Sequence, residues 1–448
     1  MLSVLREPTF RRLFTAQVVA LLGTGLATVA LALLAYDLAG ADASAVLGTA
    51  LALKMAAYVT VAPLAGALAG RVSRRTLLVS ADLARACAAL ALPFVSEVWH
   101  VYALIVLLQT ASAAFTPVFQ ATVPEVLPDE RPYTEALSLS RLAYDLESLA
   151  SPALAAALLA LVPYPWLFAG TATGFLASAA LVLSVVLPHP RPRPPASGGG
   201  VGAGFGARLV LATPRLRALV ALDLGVAAAG AMVLVGTVTL VRDTLGRPDG
   251  DVPLALAAYG AGSMVVALLL PRLLDRVDDR HVMLTGAFAL PVVLGALALG
   301  LAAPAARPGG ALPWSGLLAA WLLAGAATSA VLTPGGRLLR RSADPADLPA
   351  AFAARFSLAH ACWLLTYPLA GWLTARTSPA LPAALLGGLA LLAALAAARL
   401  WPRADPVALP HTHPELPADH PHLAGAAGGH THVFHIDALH RHWPTAAP

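Results

Sequence analysis

Histidines spaced two residues apart fill the last forty residues of the chain. The stretches HTHPELPADHPHL and HTHVFHIDALHRHW contain the pairs His411/His413, His420/His422, His430/His432 and His440/His442, with His435 alone. In an extended chain, residues two apart point to the same side, so each pair can offer two imidazoles to one ion. Imidazole suits nickel, copper, zinc and iron, and the pattern therefore predicts a transition-metal site.

Two other interpretations of these histidines stay open. An expression tag is usually an uninterrupted run, whereas these histidines alternate with acids and prolines. A pH-sensing tail is the second, because histidine titrates at about pH 6.5. The segment is also rich in Pro, Gly and Ala, so we expect residues 404–448 to be disordered on their own.

Ionisable side chains also interrupt the apolar sequence EALSLSRLAYDLESLASPALAAALL. Arg141 and Asp145 are four residues apart, so on a helix they share a face and can form a structural ion pair. Glu147 lies on a different face, in a polar stripe with Ser140 and Ser151 that contains no countercharge. We expect this stripe to face a central cavity, where Glu147 can exchange a proton or a cation.

Three more residues in apolar segments, Lys54, Asp223 and His360, are candidates for transport. Lys54 is the single lysine of the chain and can pair with Asp145 or Glu147. Asp223 is either structural or guides a substrate. His360 is either a ligand in the cavity or a hydrogen-bonded structural histidine, and Cys362 points away from it because the two are only two positions apart on a helix.

The composition indicates that membrane-spanning helices position these residues. The chain of 448 residues is 58% hydrophobic and 12% charged, with a mean hydropathy of +0.74, whereas soluble domains carry roughly 25% charged residues. Many apolar runs reach the length of about 20 residues that crosses a bilayer, where the backbone must be helical to satisfy its own hydrogen bonds. The fold class predicted is an all-α polytopic membrane protein.

Twelve spans can be placed, in two halves. Residues 1–187 form an N-terminal six-helix repeat, 188–213 a Pro- and Gly-rich linker, 214–403 a C-terminal six-helix repeat and 404–448 the histidine-rich tail. The predicted spans are 13–36, 44–70, 76–95, 99–120, 136–161, 164–187, 216–241, 252–273, 282–303, 312–334, 348–375 and 380–401.

Arginines in the loops predict the orientation. They concentrate on one side, and the positive-inside rule then places both termini, the linker and the tail in the cytoplasm of a bacterial-type inner membrane. Because these arginines lie in short loops, the net charge of +5 does not predict a nucleic-acid partner. The chain has no Walker loop, zincin motif or nucleophile elbow, so we expect no enzyme activity.

The halves repeat each other. GRVSRR at residues 70–75 corresponds to DRVDDR at 275–280, and Arg141 and Pro152 correspond to Arg355 and Pro368. Two similar six-span units joined by a linker are typical of parallel transporter repeats around a central cavity.

Residues 1–403 resemble the major facilitator superfamily. The resemblance rests on GALAGRVSRR, residues 66–75, although Gly70 replaces the acid of the family motif and Ser73 replaces a glycine. In the family this loop forms an ion-pair latch, so the resemblance implies gating roles for Arg71, Arg74, Arg75, Asp275, Arg276 and Arg280. Asp82 is the nearest acid that can replace the one missing at position 70.

The tail, the run SRLAYDLESLASP and the run AHACWLLTYPLAGW together resemble the nickel-resistance exporters of this superfamily. This implies a monomer in the lipid bilayer that exports nickel or cobalt from the cytoplasm by proton antiport, with no resident cofactor. One alternative is an exporter of a small organic molecule or metal chelate, with the tail as regulator. A membrane metal sensor or reservoir without flux is the other.

Overall fold

The structure is a computed structural model. It describes the chain except for residues 1, 69–72, 128–131, 133–135, 137–138, 141–142, 144–146, 148–150, 152–153, 186, 188–202, 275, 304–312, 345–346, 407, 413–429, 438, 441 and 445–448.

The N-terminal half is built from long helices joined by short turns. Its helices are α1 (Pro8–Ala39), α2 (Ala43–Leu68), α3 (Arg74–Ala91), α4 (Val98–Val126) and α5 (Pro165–Leu183). Between α4 and α5, the described residues from 132 to 159, including Glu147, are also helical. Pro8 and Pro165 occupy first-turn positions, where the missing N–H costs nothing, and Gly40 ends α1 with a φ of 50°.

The C-terminal half repeats this arrangement, preceded by a short helix. It contains α6 (Ala203–Ala212), α7 (Pro214–Thr239), α8 (Asp251–Leu274), α9 (Asp279–Ala302), α10 (Trp314–Leu332), α11 (Gly335–Ser342), α12 (Leu348–Arg376) and α13 (Ala380–Leu400). The predicted linker, residues 188–213, therefore ends in the helix α6.

The helices form a multi-pass membrane bundle. Among the residues that the structure describes, nine helical segments are long and apolar enough to cross a membrane, and the first, Pro8–Val61, contains both α1 and α2. Large apolar side chains point outward from the bundle, for example Leu268 at 70%, Val292 at 70% and Leu299 at 75% exposure. Such surfaces suit lipid rather than water.

The two halves pack tightly where α2 crosses α12. A Cβ at Gly48 would lie 2.5 Å from the Tyr367 carbonyl oxygen, and one at Gly371 would lie 2.3 Å from the Ser44 carbonyl oxygen. Only glycine allows the two backbones to approach this closely. This crossing lies at the end of the bundle opposite the tail, which we call the far end; the other is the tail end.

The described part of the tail contains two short strands and packs on the bundle, and its disorder on its own stays a prediction. Strands β1 (Ala408–His411) and β2 (His430–Val433) pair antiparallel, with His411 opposite His430 and Leu409 opposite His432. Phe434 is 2% exposed and Ile436 is 0% exposed. The apolar residues between the histidines supply a small core where the tail packs on the bundle.

Candidate functional site

Lys54, Glu147 and His360 come together inside the bundle. Lys54 lies near the middle of α2, His360 near the middle of α12, and Glu147 on the helical segment between α4 and α5. The Lys54 ammonium interacts electrostatically with both the Glu147 carboxylate and the His360 ring. The countercharge that the Glu147 stripe lacks is therefore supplied by α2, and all three side chains are half-buried.

The rest of the polar stripe packs on α1, which corrects the expectation that the whole stripe faces a cavity. Ser140 donates a hydrogen bond to the Gln17 side chain at 3.0 Å. A Cβ at Gly25 would lie 2.1 Å from the Ser151 side chain and 2.8 Å from the Glu147 Oε1. The glycine at position 25 thus makes room for Ser151 and the Glu147 carboxylate, and of the three stripe residues Glu147 extends to Lys54.

His360 is held in one orientation and one tautomer. Its Nδ1 lies 2.7 Å from the Phe356 carbonyl oxygen, which can only accept, so Nδ1 carries the proton and Nε2 carries the lone pair. The ring stacks on Tyr58 at a centroid distance of 5.5 Å and contacts Phe356 at 3.9 Å. Both alternatives for His360 are therefore compatible: Nδ1 makes a structural hydrogen bond, and Nε2 keeps the lone pair that a ligand needs.

Asp223 forms an ion pair with Arg355. Arg355 Nη2 lies 3.1 Å from Asp223 Oδ1, and Nε lies 3.4 Å from Oδ2, which ties α7 to α12. Asp223 is 2% exposed, and the Arg355 guanidinium packs against Gly335. A buried pair of this kind favours the structural role for Asp223 over the substrate-guiding one. Cys362 lies near Asp223.

Polar contacts join the two halves at the far end. Tyr36 donates a hydrogen bond to Asp243, the Arg242 guanidinium lies 4.4 Å from the Tyr36 ring centre, and Ser44 bonds Thr239 at 3.3 Å. Together with the glycine crossing of α2 and α12, these contacts cover the cluster from that side.

The loop arginines cap helix ends. Arg75 donates to the Leu183 carbonyl at the end of α5, and Arg280 donates to the Ala398 and Trp401 carbonyls at the end of α13, at 3.3 Å each. Positions 75 and 280 correspond in the repeat, so both halves close the same helix end by the same means. Arg74 is half-buried and Arg276 is exposed. Their gating roles stay a prediction.

Among the described residues, Asp82 has its partners inside the bundle, and its replacement of the acid missing from the loop stays a prediction because residues 69–72 are outside the described part. It forms an ion pair with Arg85 and accepts a hydrogen bond from Ser178 at 2.8 Å. Asp82 and Arg85 are buried, and the Arg85 guanidinium lies between the rings of Phe115 and Phe175 at 4.3 and 4.5 Å. The pair is a packing element between α3, α4 and α5.

Three tail histidines converge in a second cluster. His411, His432 and His440 each offer a ligand atom, and these atoms lie within 4.8 Å of one another. The ring centres are 4.6 to 5.1 Å apart. They come from three different HxH pairs. That both members of one pair bind one ion stays a prediction for the pairs 411/413 and 430/432, since His413 and the His430 side chain lie outside the described part of the chain. The pairing of β1 with β2 brings His411 near His432, and His440 follows β2.

Each ring in this cluster is anchored through Nδ1. His411 Nδ1 lies 3.0 Å from the Leu409 carbonyl oxygen, and His432 Nδ1 lies 2.6 Å from the Val433 carbonyl oxygen. His440 Nδ1 lies 3.0 Å from both carboxylate oxygens of Asp437. Since these oxygens only accept, each Nδ1 is protonated and each Nε2 has a lone pair, the arrangement usual in metal-binding histidines.

Hydrogen bonds stabilise the negative charge of the Asp437 carboxylate beside the His440 ring. Burial opposes that charge, but hydrogen bonds from the backbone and ring of His440 and from the Leu439 N–H lower the pKa of Asp437 below its usual range. The His411 and His440 Nε2 atoms lie 3.0 Å apart. At this distance the two nitrogens can share a proton or a metal ion.

Two further candidate histidines in the described part of the tail, His435 and His442, lie outside the cluster. His435 bonds the Arg341 backbone, and burial lowers its pKa; His442 is exposed. The side chain of His430 and the residues Arg71, Arg141, Asp145, Asp275, His413, His420 and His422 lie outside the described part of the chain. Sequence reasoning missed Tyr58 as a partner of His360, since a contact between distant helices leaves no local signal.

Comparison with known proteins defines the family. The sequence model of the Major Facilitator Superfamily matches residues 13–246 and again residues 220–441. The chain belongs to this superfamily. The resemblance seen in the loop motif and the predicted duplication of the fold are thereby confirmed, and the protein is a superfamily transporter in a membrane.

Individual relatives of this superfamily transporter are distant. An uncharacterized MFS-type transporter of Bacillus subtilis (strain 168), YfiS, is 27% identical over 124 residues, which cover 28% of this chain and 30% of that protein. A bacterial homologue of the human lysosomal transporter Spinster, inward-facing and occupied, has a TM-score of 0.69 at 12% identity over 89% of this chain and 99% of its own.

Two further solved structures agree in fold. The nucleoside transporter NupG has a TM-score of 0.64 at 14% identity, covering 88% of this chain and 99% of its own. A D-xylose–proton symporter has a TM-score of 0.66 at 16% identity, covering 89% and 98%. At these identities the similarity shows the shared fold of the transporter. It does not identify the substrate, for which the evidence is the chemistry of the two clusters.

Proposed function

We propose that this transporter exports a divalent transition-metal ion, nickel or cobalt, from the cytoplasm in exchange for protons. The observation that carries the proposal is the cluster of His411, His432 and His440, in which every ring is anchored through Nδ1 and offers Nε2. Three neutral imidazoles suit borderline divalent metals. They also leave coordination positions open, so an ion bound there can be passed on.

The position of this cluster supports export as the direction of transport. The tail packs at the tail end of the bundle, the side that the positive-inside rule assigns to the cytoplasm of a bacterial-type inner membrane. An ion collected there stands at the cytoplasmic entrance, whereas the polar contacts and glycine crossing cover the far end. Collection of the ion on the cytoplasmic side, opposite the covered far end, favours export.

The intramembrane cluster supplies the coupling. The Glu147 carboxylate can hold a proton or help to bind a cation, but these two states exclude each other. His360 Nε2 offers the second ligand, and Lys54 neutralises Glu147 when neither a metal ion nor a proton is bound. A proton arriving from outside at Glu147 therefore releases the metal, and loss of that proton to the cytoplasm prepares the site for the next ion.

Aromatic side chains around this cluster support a second candidate function, export of a small organic molecule or metal chelate. Trp363 contacts Tyr367 at a centroid distance of 4.9 Å, and Tyr58 and Phe356 contact His360. Flat ligands stack on such rings. In this case the tail histidines would regulate the carrier without delivering a substrate.

Metal content of cells separates the two candidates. A nickel-sensitive bacterial host would express the full chain, the chain cut after Ala404, or neither, with nickel, cobalt or zinc added. We expect the full chain to lower cell nickel and the truncated chain to do so less effectively at low external metal. No change in any metal, with equal expression, would contradict metal export and leave the organic substrate.

Glu147→Gln tests the role of the intramembrane carboxylate. This change keeps the size of the side chain and removes its charge, so we expect metal export to be lost. Glu97→Gln is the matched control, because Glu97 is exposed at the start of α4. Export at the wild-type rate by the Glu147 variant would show that the carboxylate does not couple transport.

A further inference from the structure

The tail is fastened to the C-terminal half through Asp405. Its carboxylate accepts from Arg215 at 2.9 Å, from Arg341 at 2.8 Å and from the Trp401 indole at 3.1 Å. Arg341 also bonds the Asp405 carbonyl oxygen at 2.6 Å. One residue just beyond α13 thus joins the start of α7 and the end of α11.

Arg215 extends this junction to the end of the tail. The residue is 1% exposed, and its Nε donates to the Ser342 hydroxyl at 2.7 Å. Its guanidinium lies 5.1 Å from the ring centre of Trp443, which in turn contacts Phe434 at 5.2 Å. The first and the last described parts of the tail therefore meet at the same arginine.

The linker helix α6 is part of the same contact. Arg208 on α6 donates to the Asp437 carbonyl oxygen at 3.3 Å. Phe434 and Ile436 are buried in one apolar cluster with Leu209 and Val210 of α6 and with residues of α11 and α13. Since α6 is the last part of the connection between the two halves, the docked tail contacts the segment that links them.

The three imidazoles join the two parts of the tail. His411 follows the Asp405 junction by six residues, and His432 and His440 flank the buried segment that holds Phe434, Ile436 and Asp437. An ion bound by all three closes the chain between them into a ring and lowers the entropy of the undocked tail. Metal binding and docking therefore stabilise each other.

We propose that a divalent transition-metal ion on His411, His432 and His440 fastens the tail to the C-terminal half and to α6, so that metal occupancy regulates the connection between the two halves. The inference rests on the metal site of the proposed function, but it does not require the bound ion to be the cargo. The tail is then a metal-dependent clamp as well as a collector.

Hydrogen–deuterium exchange of the purified full chain tests the clamp. Exchange is followed in residues 430–443 and in α6, with Ni²⁺ or Zn²⁺ and with a chelator. In the limiting case in which the ion leaves when the tail undocks, exchange through undocking slows by the factor 1 + [ion]/Kd, about 100-fold at 100 times the Kd, and any affinity for the undocked tail makes this factor smaller. We expect this slowing in both segments.

Three variants separate binding from docking. His440→Ala should abolish the slowing in both segments, whereas His442→Ala, a change of the exposed member of the same pair, should keep it. Asp405→Asn breaks the junction but keeps the imidazoles, so metal should still slow exchange within the tail but less in α6.

Several results would overturn the clamp. These are slowing confined to the tail in the wild-type protein, no slowing with either ion, or equal loss in His440→Ala and His442→Ala. Metal flux into liposomes, measured on the same preparations, keeps the two proposals distinct. Flux without protection of α6 would refute the clamp alone, and protection of α6 without flux would refute metal as cargo.

Discussion

Replacing Asp437 by asparagine should weaken metal binding at the tail cluster without removing a ligand. The carboxylate accepts from the His440 ring with both oxygens at 3.0 Å, and Oδ1 also accepts from the Leu439 and His440 N–H groups at 2.7 and 2.6 Å. In Asp437→Asn one of these oxygens becomes an amide NH₂, which cannot accept, and the charge is lost.

The expected size of the effect follows from this geometry. A hydrogen bond to a charged partner contributes about 1.5–3 kcal/mol, and loss of an outer-shell partner of a metal-binding histidine typically weakens affinity about 10–100-fold. The two figures agree, because a factor of ten in affinity is about 1.4 kcal/mol. We therefore expect the Kd for Ni²⁺ to rise by one to two orders of magnitude, roughly 10–100-fold.

Calorimetric titration of the purified full chain with Ni²⁺ measures this change. Asp278→Asn is the control, since the Asp278 side chain is 84% exposed and lies far from the tail cluster in sequence. His440→Ala should weaken binding more than Asp437→Asn, because it removes a ligand. An unchanged Kd in Asp437→Asn, with binding lost in His440→Ala, would refute the orienting role of the carboxylate.

Three further predictions concern the bundle. Gly25→Ala should lower transport, since a Cβ there would lie 2.1 Å from Ser151 and 2.8 Å from the Glu147 carboxylate; flux in liposomes measures it, and flux at the wild-type level would contradict the packing described. Arg355→Leu should destabilise the protein by about 3–5 kcal/mol, because it leaves Asp223 buried and unpaired, and thermal unfolding of this variant and of Arg355→Leu with Asp223→Asn should show recovery in the double variant. Asp347→Asn should raise the melting temperature near pH 7. Burial, Asp344 and Asp437 raise the pKa of Asp347, so its charged carboxylate lowers the stability of the fold above the folded-state pKa and has no effect below the unfolded-state pKa. The gain in melting temperature should therefore vanish in acid.

The bundle was predictable because each of its causes is local. A run of about 20 apolar residues must be helical in lipid, and the match between residues 70–75 and 275–280 predicts the duplication. The same match extends to side-chain contacts, since Arg75 and Arg280 cap equivalent helix ends. These features depend on residue type and spacing alone.

The clusters were only partly predictable because they depend on contacts between distant segments. Glu147, Lys54 and His360 stand out as ionisable residues in apolar runs, but the stack of His360 on Tyr58 requires the crossing of α2 and α12. In the tail, spacing alone grouped the histidines within pairs. The pairing of β1 with β2 brings His411 near His432, and the segment after β2 brings His440 to both.

Flux of metal against protons in liposomes tests the central proposal most directly. The purified full chain would be reconstituted with Ni²⁺ on the side of the tail, an imposed pH gradient, and dyes that report the metal and pH inside. The account predicts Ni²⁺ transport that grows with the opposing proton gradient, moves protons the other way, and is lost in Glu147→Gln but kept in Glu97→Gln. Ni²⁺ transport indifferent to the proton gradient, or no transport by active protein, would contradict it.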